Sequence, residues 1–228
     1  MMTLKLDILS EKGWPKIYIV KNDLQLQDQK LHQLLHPQEL KKLSSFSHSN
    51  KIIDFQRSRI ILHKLYDHQK KHAFINAKNG SLIWPKGYTG SLSHKDQNII
   101  ILGGRISKFV FGIDLEKAEI SSEIIYRVLS EKEKKIHENL ARKVGRKYAS
   151  SILFSLKESC FKCFNQSLGS EKEYLNHYEI SELNLKRNNA LVSHTDSLNK
   201  VKIKTLVRYL KLEKKVYVLT AVCRRSII

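Results

Sequence analysis

The sequence predicts an α+β fold, because strand-like and helix-like segments follow one another without a repeating βαβ order. Runs rich in β-branched and aromatic residues at 99–102, 109–115 and 215–223 indicate strands. Apolar residues at helical spacing in 52–72 and 147–165 indicate amphipathic helices. At 228 residues the chain is long enough to bury a substantial core, in one large domain or two small ones.

In the first part of the chain, a predicted strand at 16–20 precedes two helical segments. Leucines at helical spacing mark 24–35 as a helix, and Pro37 is expected to end it because proline cannot continue a helix. The amphipathic helix at 52–72 follows. The apolar run at 99–102 then predicts a buried strand that ends at two glycines.

In the second part of the chain, the strand at 109–115 leads into a helical region. Ser121 or Ser122 can cap one helix, and Ser130 with Glu133 has the spacing of a capping box that begins another. A longer helix is predicted from about residue 147 to residue 165. The remaining tail predicts short strands at 178–185, 201–204 and 215–223.

The chain is strongly basic: 41 Lys and Arg residues against 22 Asp and Glu residues give a formal net charge of +19. Such an excess accelerates encounters with anionic partners, which include nucleic acids, phosphate-rich cofactors and acidic proteins. The N-terminal residues lack the apolar core of a signal peptide, and no apolar run predicts a membrane span. The expected location is therefore the cytoplasm.

The three cysteines do not predict a disulfide framework, because their number is odd. Cys160 and Cys163 have C-x-x-C spacing, but neither a second pair nor a histidine cluster completes a zinc site. The sequence therefore favours two thiols packed inside a helix over a metal or redox centre.

Three carboxylates can converge on one cation. Asp114 and Glu116 lie two apart in a predicted strand and so point to the same face. Glu158 lies on the later helix, four residues before Lys162, so these two side chains share a helix face. Carboxylates together with substrate phosphate are the usual ligands of magnesium. The alternatives are a solvated strand face for the first two acids and an ordinary ion pair for Glu158.

A second candidate group offers hydrogen-bond donors to a phosphate. Ser93 and His94 stand at the end of a predicted strand, just before a polar turn. Because adjacent strand residues point to opposite faces, they do not form a direct nucleophile–base pair. Arg57 and Arg59 project from the helix at 52–72, where each either faces solvent or binds a ligand. For His94 the alternative is a structural residue of the turn.

These segments resemble the 4′-phosphopantetheinyl transferases, specifically the longer, monomeric, pseudo-dimeric class of enterobactin-synthetase type. Residues 112–116 read Gly-Ile-Asp-Leu-Glu and residues 154–162 read Phe-Ser-Leu-Lys-Glu-Ser-Cys-Phe-Lys, which match that family's two main motifs. Ser-Leu-Ser-His at 91–94 and Trp-Pro at 84–85 match an upstream element. Arg-Ser-Arg at 57–59 resembles a Gly-Arg segment, with serine in place of glycine.

The resemblance implies a magnesium site and a diphosphate site in the second half of the chain. Asp114, Glu116 and Glu158 would ligate Mg²⁺ beside the diphosphate of coenzyme A, and Lys162 would contact that diphosphate. Glu158 would also serve as the base for the acceptor serine, directly or through water. Lys157, the other lysine of the motif, would be structural or bind phosphate.

The resemblance places the nucleotide end of coenzyme A in the first half. His94 and Arg59 would hold the 3′-phosphate region, and Ser93 would support the adenosine or the phosphate from its strand end.

One segment departs from the family pattern. Residues 80–82 read Gly-Ser-Leu where many relatives carry Gly-Lys/Arg-Pro, a contact to coenzyme A. Lys78 or Lys86 would have to supply that contact.

The resemblance therefore implies two similar α/β subdomains in a pseudo-twofold arrangement, residues 1–110 and 111–228, with the active site in the cleft between them. The implied activity is Mg²⁺-dependent transfer of the phosphopantetheinyl group from coenzyme A to a serine of an acidic apo carrier protein. That carrier would be the peptidyl, aryl or acyl carrier of a siderophore, peptide, polyketide or fatty-acid synthase. The alternatives are a basic nucleic-acid-binding protein, for which no known motif is present, and a catalytically degenerate scaffold that binds carriers.

Overall fold

A computed structural model describes residues 6–21, 32–67, 71–105, 108–166, 174–194 and 200–225. Within these ranges the chain forms two antiparallel sheets, of four and five strands, and five α-helices. The predicted α+β class is confirmed. None of the helices in these ranges has the length and apolarity that crossing a bilayer requires.

The first sheet is built from residues 6–104. Its strands are β1 (Leu6–Leu9), β2 (Ile17–Lys21), β3 (Thr89–Lys95) and β4 (Asn98–Gly104), in the spatial order β1-β2-β4-β3. Between β2 and β3, the described residues form two α-helices, α1 (Pro37–Leu43) and α2 (Ser49–Tyr66).

The second sheet is built from residues 109–225. Its strands are β5 (Phe109–Lys117), β6 (Tyr178–Asn184), β7 (Asn189–His194), β8 (Lys200–Leu212) and β9 (Lys215–Arg225), in the order β5-β9-β8-β7-β6. In the described part of the connection from β5 to β6 there are three α-helices: α3 (Ser122–Tyr126), α4 (Glu131–Val144) and α5 (Arg146–Asn165). The domain boundary at residues 110 and 111 stays a prediction.

The two sheets share one apolar core. Ile100 and Leu102 of β4 pack in the same buried cluster as Ile113 and Leu115 of β5. The opposite face of the first sheet packs on α2, and the opposite face of the second sheet packs on α4 and α5. The chain therefore forms four layers, with a helix layer outside each sheet. The predicted alternation along β5 is confirmed, since Ile113 and Leu115 face the first sheet while Asp114 faces α5.

Helix α5 lies unusually close to β5, and Gly112 makes this possible. A Cβ atom added to Gly112 would lie 1.8 Å from the carbonyl oxygen of Ser159 and 2.8 Å from the amide nitrogen of Cys163. On the neighbouring strand β9, the Thr220 hydroxyl lies 2.9 Å from that of Ser155 and 2.7 Å from that of Ser159. Small and polar side chains thus seat the helix directly on the sheet.

Several predicted helix boundaries are confirmed. Ser121 caps α3, and Ser130 with Glu133 forms the predicted capping box of α4. Pro37 begins α1, because the first helical position needs no N–H donor and suits the fixed φ of proline. His36 is the N-cap residue. Of the helix predicted at 24–35, the described residues His32–Leu34 form a 3-10 turn that ends before Pro37. The predicted helical residues 24–31 and 68–70 lie outside the described residues, and α2 spans Ser49–Tyr66.

The buried cysteines behave as packing residues. Cys160 and Cys163 are both free and fully buried in α5. Burial raises the pKa of Cys163 to about 12 and raises that of Cys160 further above its usual range, so neither thiol is reactive at neutral pH. Helix-packed thiols, the interpretation that the sequence favoured, agree with this environment.

Gly112→Ala is expected to destabilise the fold strongly, since the added methyl group would collide with the backbone of α5. Overpacking against a backbone that cannot move aside costs about 3 kcal/mol. Urea unfolding measures this change. Gly104→Ala is the matched control, because its nearest neighbour, Cβ of Pro15, lies at 3.8 Å, an ordinary contact. Equal stability of the two variants would contradict the close approach.

Candidate active site

Asp114 and Glu116 of β5 lie close enough to Glu158 of α5 for their charges to interact, and we call these three carboxylates the acidic cluster. Asp114 and Glu116 point from β5 toward the helix, and Glu158 and Lys162 descend from the helix toward the strand. Ser93 reaches the same place from β3, the edge strand of the other sheet. The structure therefore brings together side chains that are up to 69 residues apart in the sequence.

Lys162 and Ser93 both bind Asp114. The ammonium group of Lys162 donates to Oδ1 of Asp114 at 2.7 Å, to the hydroxyl of Ser93 at 3.0 Å and to the carbonyl of Ile113 at 3.3 Å. The Ser93 hydroxyl in turn donates to Oδ1 of Asp114 at 2.8 Å. On the same strand, the Ser91 hydroxyl accepts from the amide of Ile113 at 3.1 Å. Two serines of β3 thus fasten the edges of the two sheets together at the site.

The other two carboxylates lie in an unfavourable electrostatic environment. Burial raises the pKa of Glu116, although Lys95 donates to it at 2.7 Å, and the charge of Asp114 raises the pKa further. Burial likewise raises the pKa of Glu158, Lys162 opposes this shift, and Asp114 and Glu116 add to it. Because both pKa values lie above the usual range, the site favours an additional positive charge.

The donor chemistry of this cluster suits magnesium. Oδ2 of Asp114 is buried without a hydrogen-bond partner, although its other oxygen is fully engaged. Within the described ranges, however, no three His, Cys, Asp or Glu side chains are gathered as a group that could hold a metal ion. Magnesium usually binds through one or two carboxylates, substrate phosphates and water, so a closed protein cage is not required. Asp114, with its unpartnered buried oxygen, offers one such donor.

A basic cavity of about 520 Å³ adjoins the acidic cluster. Its walls come from the loop before β3, from β3 itself and from the C-terminal turn of α5. Three cationic side chains line it, and its apolar surface comes from Leu82, Leu92 and Phe161. The cations are Arg59, Lys78 and Lys162, and the lining contains no acidic side chain. This combination suits an anionic ligand that also carries an apolar or aromatic part.

Arg59 is a rigid anchor in that cavity. It is 5% exposed, and its guanidinium donates to the carbonyl of Phe74 at 2.7 Å, to the hydroxyl of Ser58 at 2.9 Å and to Asn76 at 2.7 Å. Burial lowers the pKa of Arg59 to about 10, which leaves it charged at neutral pH. Its terminal nitrogens retain further N–H groups for an anion.

The residue whose carbonyl accepts from Arg59 is itself held by a buried carboxylate. Glu39 accepts from the amide of Phe74 at 2.7 Å and contacts Nε2 of His63 at 2.9 Å. Burial alone would raise the pKa of Glu39, but hydrogen bonds from His63, His36 and Phe74 outweigh it and hold the pKa below its usual value. The orientation of Arg59 therefore depends on a network outside the cavity.

Three side-chain amides in the lining of the cavity bind backbone carbonyls. Asn165 donates from its side chain to the carbonyl of Asn79 at 2.7 Å, and Asn79 donates back to the carbonyl of Asn165 at 2.7 Å. The side-chain amide of Gln166 lies 3.0 Å from the carbonyl of Gly90 and 2.7 Å from that of Phe111. These bonds connect α5 to the cavity loop and to the facing edges of both sheets.

His94 is not among the residues that line the cavity with Arg59. It follows Ser93 on β3 and therefore points to the opposite face, as the strand alternation predicts. Its ring lies 3.5 Å from the carboxylate of Asp54 on α2, and its side chain is 51% exposed. A role for His94 in phosphate binding stays a prediction, and the structure gives it a partner other than Arg59.

Lys157 is buried on another face of α5. It is 1% exposed and donates to both oxygens of Glu133, at 2.7 and 2.9 Å, and to the carbonyl of Tyr178 at 2.6 Å. All three N–H groups of the ammonium are thus directed into the core. Of the two roles that the resemblance allowed, the geometry supports the structural one and not a phosphate contact.

Several residues at the site had no sequence signal or a weak one. Ser91 lies two before Ser93, so strand alternation alone indicated that both hydroxyls share a face. Lys95 and Gln166 contact residues that are distant in the sequence, and no motif or spacing near either residue indicated these contacts. Lys78, one of the two lysines that the departure at 80–82 suggested, lines the cavity, whereas Lys86 is not part of the lining.

Residues 110–222 match the model of the 4′-phosphopantetheinyl transferase superfamily. The match spans slightly less than half of the chain and contains Asp114, Glu116, Glu158 and Lys162. It supports phosphopantetheinyl transfer in general, and hence a transferase. The two-sheet architecture is compatible with the two-subdomain fold of this superfamily. No curated protein matches the chain.

The stability contributed by Glu39 is expected to disappear in acid. Because its folded pKa lies below the ordinary 4.5, its contribution is fully present above pH 4.5 and falls as the pH drops through the folded value. Glu39→Gln should therefore destabilise the protein by about 1–3 kcal/mol at pH 7, and by less at pH 3. Urea unfolding at several pH values tests this. The exposed Glu182→Gln is the control, and a difference independent of pH would contradict the argument.

Lys157→Met is expected to destabilise the protein by about 3–5 kcal/mol, because it leaves the buried carboxylate of Glu133 without its cation. The remaining folded protein should bind coenzyme A, the co-substrate that the superfamily implies, with unchanged affinity by calorimetry. Lys132→Met, which removes an exposed lysine 3.0 Å from Glu179, should cost about 1 kcal/mol or less. If Lys157→Met kept the stability of the unaltered protein but lost coenzyme A binding, Lys157 would be a ligand contact.

Proposed function

We propose that this protein transfers the 4′-phosphopantetheinyl group of coenzyme A to a serine hydroxyl of an apo carrier protein, with Mg²⁺ as cofactor. The serine oxygen forms a bond to the phosphorus that bears pantetheine. The bond from that phosphorus to the bridging oxygen breaks, and adenosine 3′,5′-bisphosphate leaves. The serine proton passes to a carboxylate of the site. The superfamily match and the basic charge of the chain support a carrier protein as the acceptor.

The observation that supports this proposal best is that Lys162 belongs both to the acidic cluster and to the lining of the basic cavity. Its ammonium group binds Asp114 in the acidic cluster, and the same side chain lines the basic cavity. A diphosphate at Lys162 would therefore lie between the carboxylates and the cavity that receives the rest of the nucleotide. Such a position is what a coenzyme A diphosphate requires.

The side chains divide the chemistry among them. Arg59 and Lys78 would hold the phosphorylated nucleotide end, and Lys162 would neutralise charge on the diphosphate as the leaving group departs. Glu158 would take the proton of the acceptor serine, because its raised pKa makes it a stronger base than an ordinary carboxylate. Ser93 would orient Lys162 and Asp114 through its two hydrogen bonds.

Asp114, Glu116 and Glu158 would hold the magnesium ion. When bound, the ion would supply positive charge to the diphosphate oxygens and so stabilise the charge that develops on the leaving group. The unpartnered Oδ2 of Asp114 and the raised pKa values of the two glutamates support this assignment.

Asp114→Asn is expected to slow the transfer by about 100-fold or more, because it removes a negative oxygen donor without changing the shape of the side chain. Mass spectrometry of an apo acyl carrier protein incubated with the enzyme, coenzyme A and Mg²⁺ measures the gain of one phosphopantetheinyl group. A chelator should abolish the same gain.

The exposed Asp7→Asn, on the outer strand β1, is the matched control and should transfer at the rate of the unaltered protein. Calorimetry with coenzyme A separates two failures. Binding of coenzyme A without transfer to peptidyl, aryl or acyl carriers would indicate a scaffold. Absence of both coenzyme A binding and transfer would refute the proposal.

A further inference from the structure

An exposed aromatic and basic surface lies at the end of strand β5, next to the acidic cluster. Tyr148 of α5 and Tyr209 of β8 are 37% and 48% exposed, and their rings meet edge to face at 5.5 Å. Val216 of β9, 38% exposed, lines a cavity of about 260 Å³ together with Tyr148. We call these residues, with the lysines of that cavity, the Tyr148 face. The lysines are Lys117, Lys214 and Lys215.

The Tyr148 face has the composition of a protein-binding surface. Tyrosine supplies large, rigid contact area and is enriched among the residues that dominate binding energy. Exposed apolar side chains that lie together favour an interaction site more than scattered ones do, and here Tyr148 contacts Tyr209 and lines a cavity with Val216. The tyrosines keep their hydroxyl groups beside lysines, which is the arrangement of an apolar centre with a polar rim.

The charges of the rim favour an acidic partner. Three lysines line the cavity against one acidic residue, Glu119. Lys117 is engaged by Asp96 at 3.1 Å and by Glu119 at 3.9 Å, and Lys215 lies 3.6 Å from Asp96. Lys214 is exposed at the turn between β8 and β9 and has no ion pair among the described residues. A partner with carboxylates around an apolar contact would complement this surface.

The position of the face connects it to the proposed reaction. Val218 of β9 pairs with Glu116 on one side and with Tyr209 on the other. These three residues therefore form one row across the sheet, and two strand spacings separate Glu116 from Tyr209, about 10 Å. Tyr148 precedes Glu158 by ten residues on the same helix, which is about 15 Å along its axis. A small folded domain can span either distance.

We infer that the Tyr148 face is the docking site of the acidic carrier protein, placing its acceptor serine at Glu158. This inference rests on the proposed function, because it takes the carrier as the partner. The tyrosines and Val216 contact apolar side chains of the carrier, and Lys214 attracts its carboxylates. The face lies beside the strand that carries Asp114 and Glu116, so docking and catalysis share one rigid element.

The test combines a binding measurement with a kinetic one on the full-length protein. The variants are Tyr209→Ala, Lys214→Glu and the two together, and the probe is an apo acyl carrier protein. The double variant should raise the KM for the carrier by about tenfold or more, with kcat and the affinity for coenzyme A unchanged. Surface plasmon resonance should show the same loss of carrier binding, and a weaker dependence on salt.

Two matched controls make the outcome specific. Tyr174→Ala removes another exposed tyrosine, and Lys186→Glu reverses a charge on a separate basic groove between α4 and β6. Both should leave the KM for the carrier unchanged. An unchanged KM in the double variant, or an equal rise with Lys186→Glu, overturns the inference.

The same measurements separate this inference from the proposed function. If the unaltered protein binds the carrier without transferring the group, and the double variant loses that binding, the docking site stands and the proposed activity fails. If the unaltered protein binds no carrier, the docking site fails. Sedimentation that shows a dimer dissociated by Tyr209→Ala would assign the face to a second copy of the chain and also overturn the inference.

Discussion

The candidate site depends on the close approach of helix α5 to strand β5 at Gly112. A side chain there would meet the Ser159 carbonyl at 1.8 Å, so any other residue would lift the helix from the sheet. Helix α5 also lies close to the neighbouring strand β9, since Ser155 and Ser159 hydrogen-bond directly to Thr220. Because the helix lies so close to the sheet, Glu158 comes near the carboxylates of β5. For the same reason Lys162 reaches Asp114 at 2.7 Å.

This geometry carries an electrostatic cost that two lysines partly offset. The carboxylates of Glu116 and Glu158 are desolvated and repelled by neighbouring acids, which raises the pKa of each. Lys95, from the hairpin of the first sheet, neutralises Glu116, and Lys162, from α5, neutralises Asp114. Since the lysines come from different halves, the compensation exists only in the folded chain. Two lysines face three carboxylates, so a divalent cation would enter a site that still carries excess negative charge.

Local periodicity predicted which side chains share a face, but it did not predict their distant partners. Strand alternation correctly placed Asp114 and Ile113 on opposite faces of β5. The four-residue spacing correctly placed Glu158 and Lys162 on one side of α5. It could not decide the role of Lys157, because that depended on Glu133 and Tyr178, which pack against the helix from elsewhere in the chain. Pro37 shows the same limit, since a proline can either end a helix or begin one. Strand β7 at Asn189–His194 was not predicted, because its short run of apolar residues lies between polar turns.

The packing of the two sheets explains why the cavity and the acidic cluster keep a fixed relation. Buried side chains of β2 and β4 interlock with those of β5, β8 and β9 in one apolar cluster between the sheets. A rotation of one sheet against the other would expose that cluster to water, at a cost proportional to the apolar area uncovered. Ser91, Ser93 and Gln166 add hydrogen bonds across the same junction. Folding therefore fixes the distance between Arg59 and Lys162. A ligand that binds both residues does not need a hinge motion of one sheet against the other.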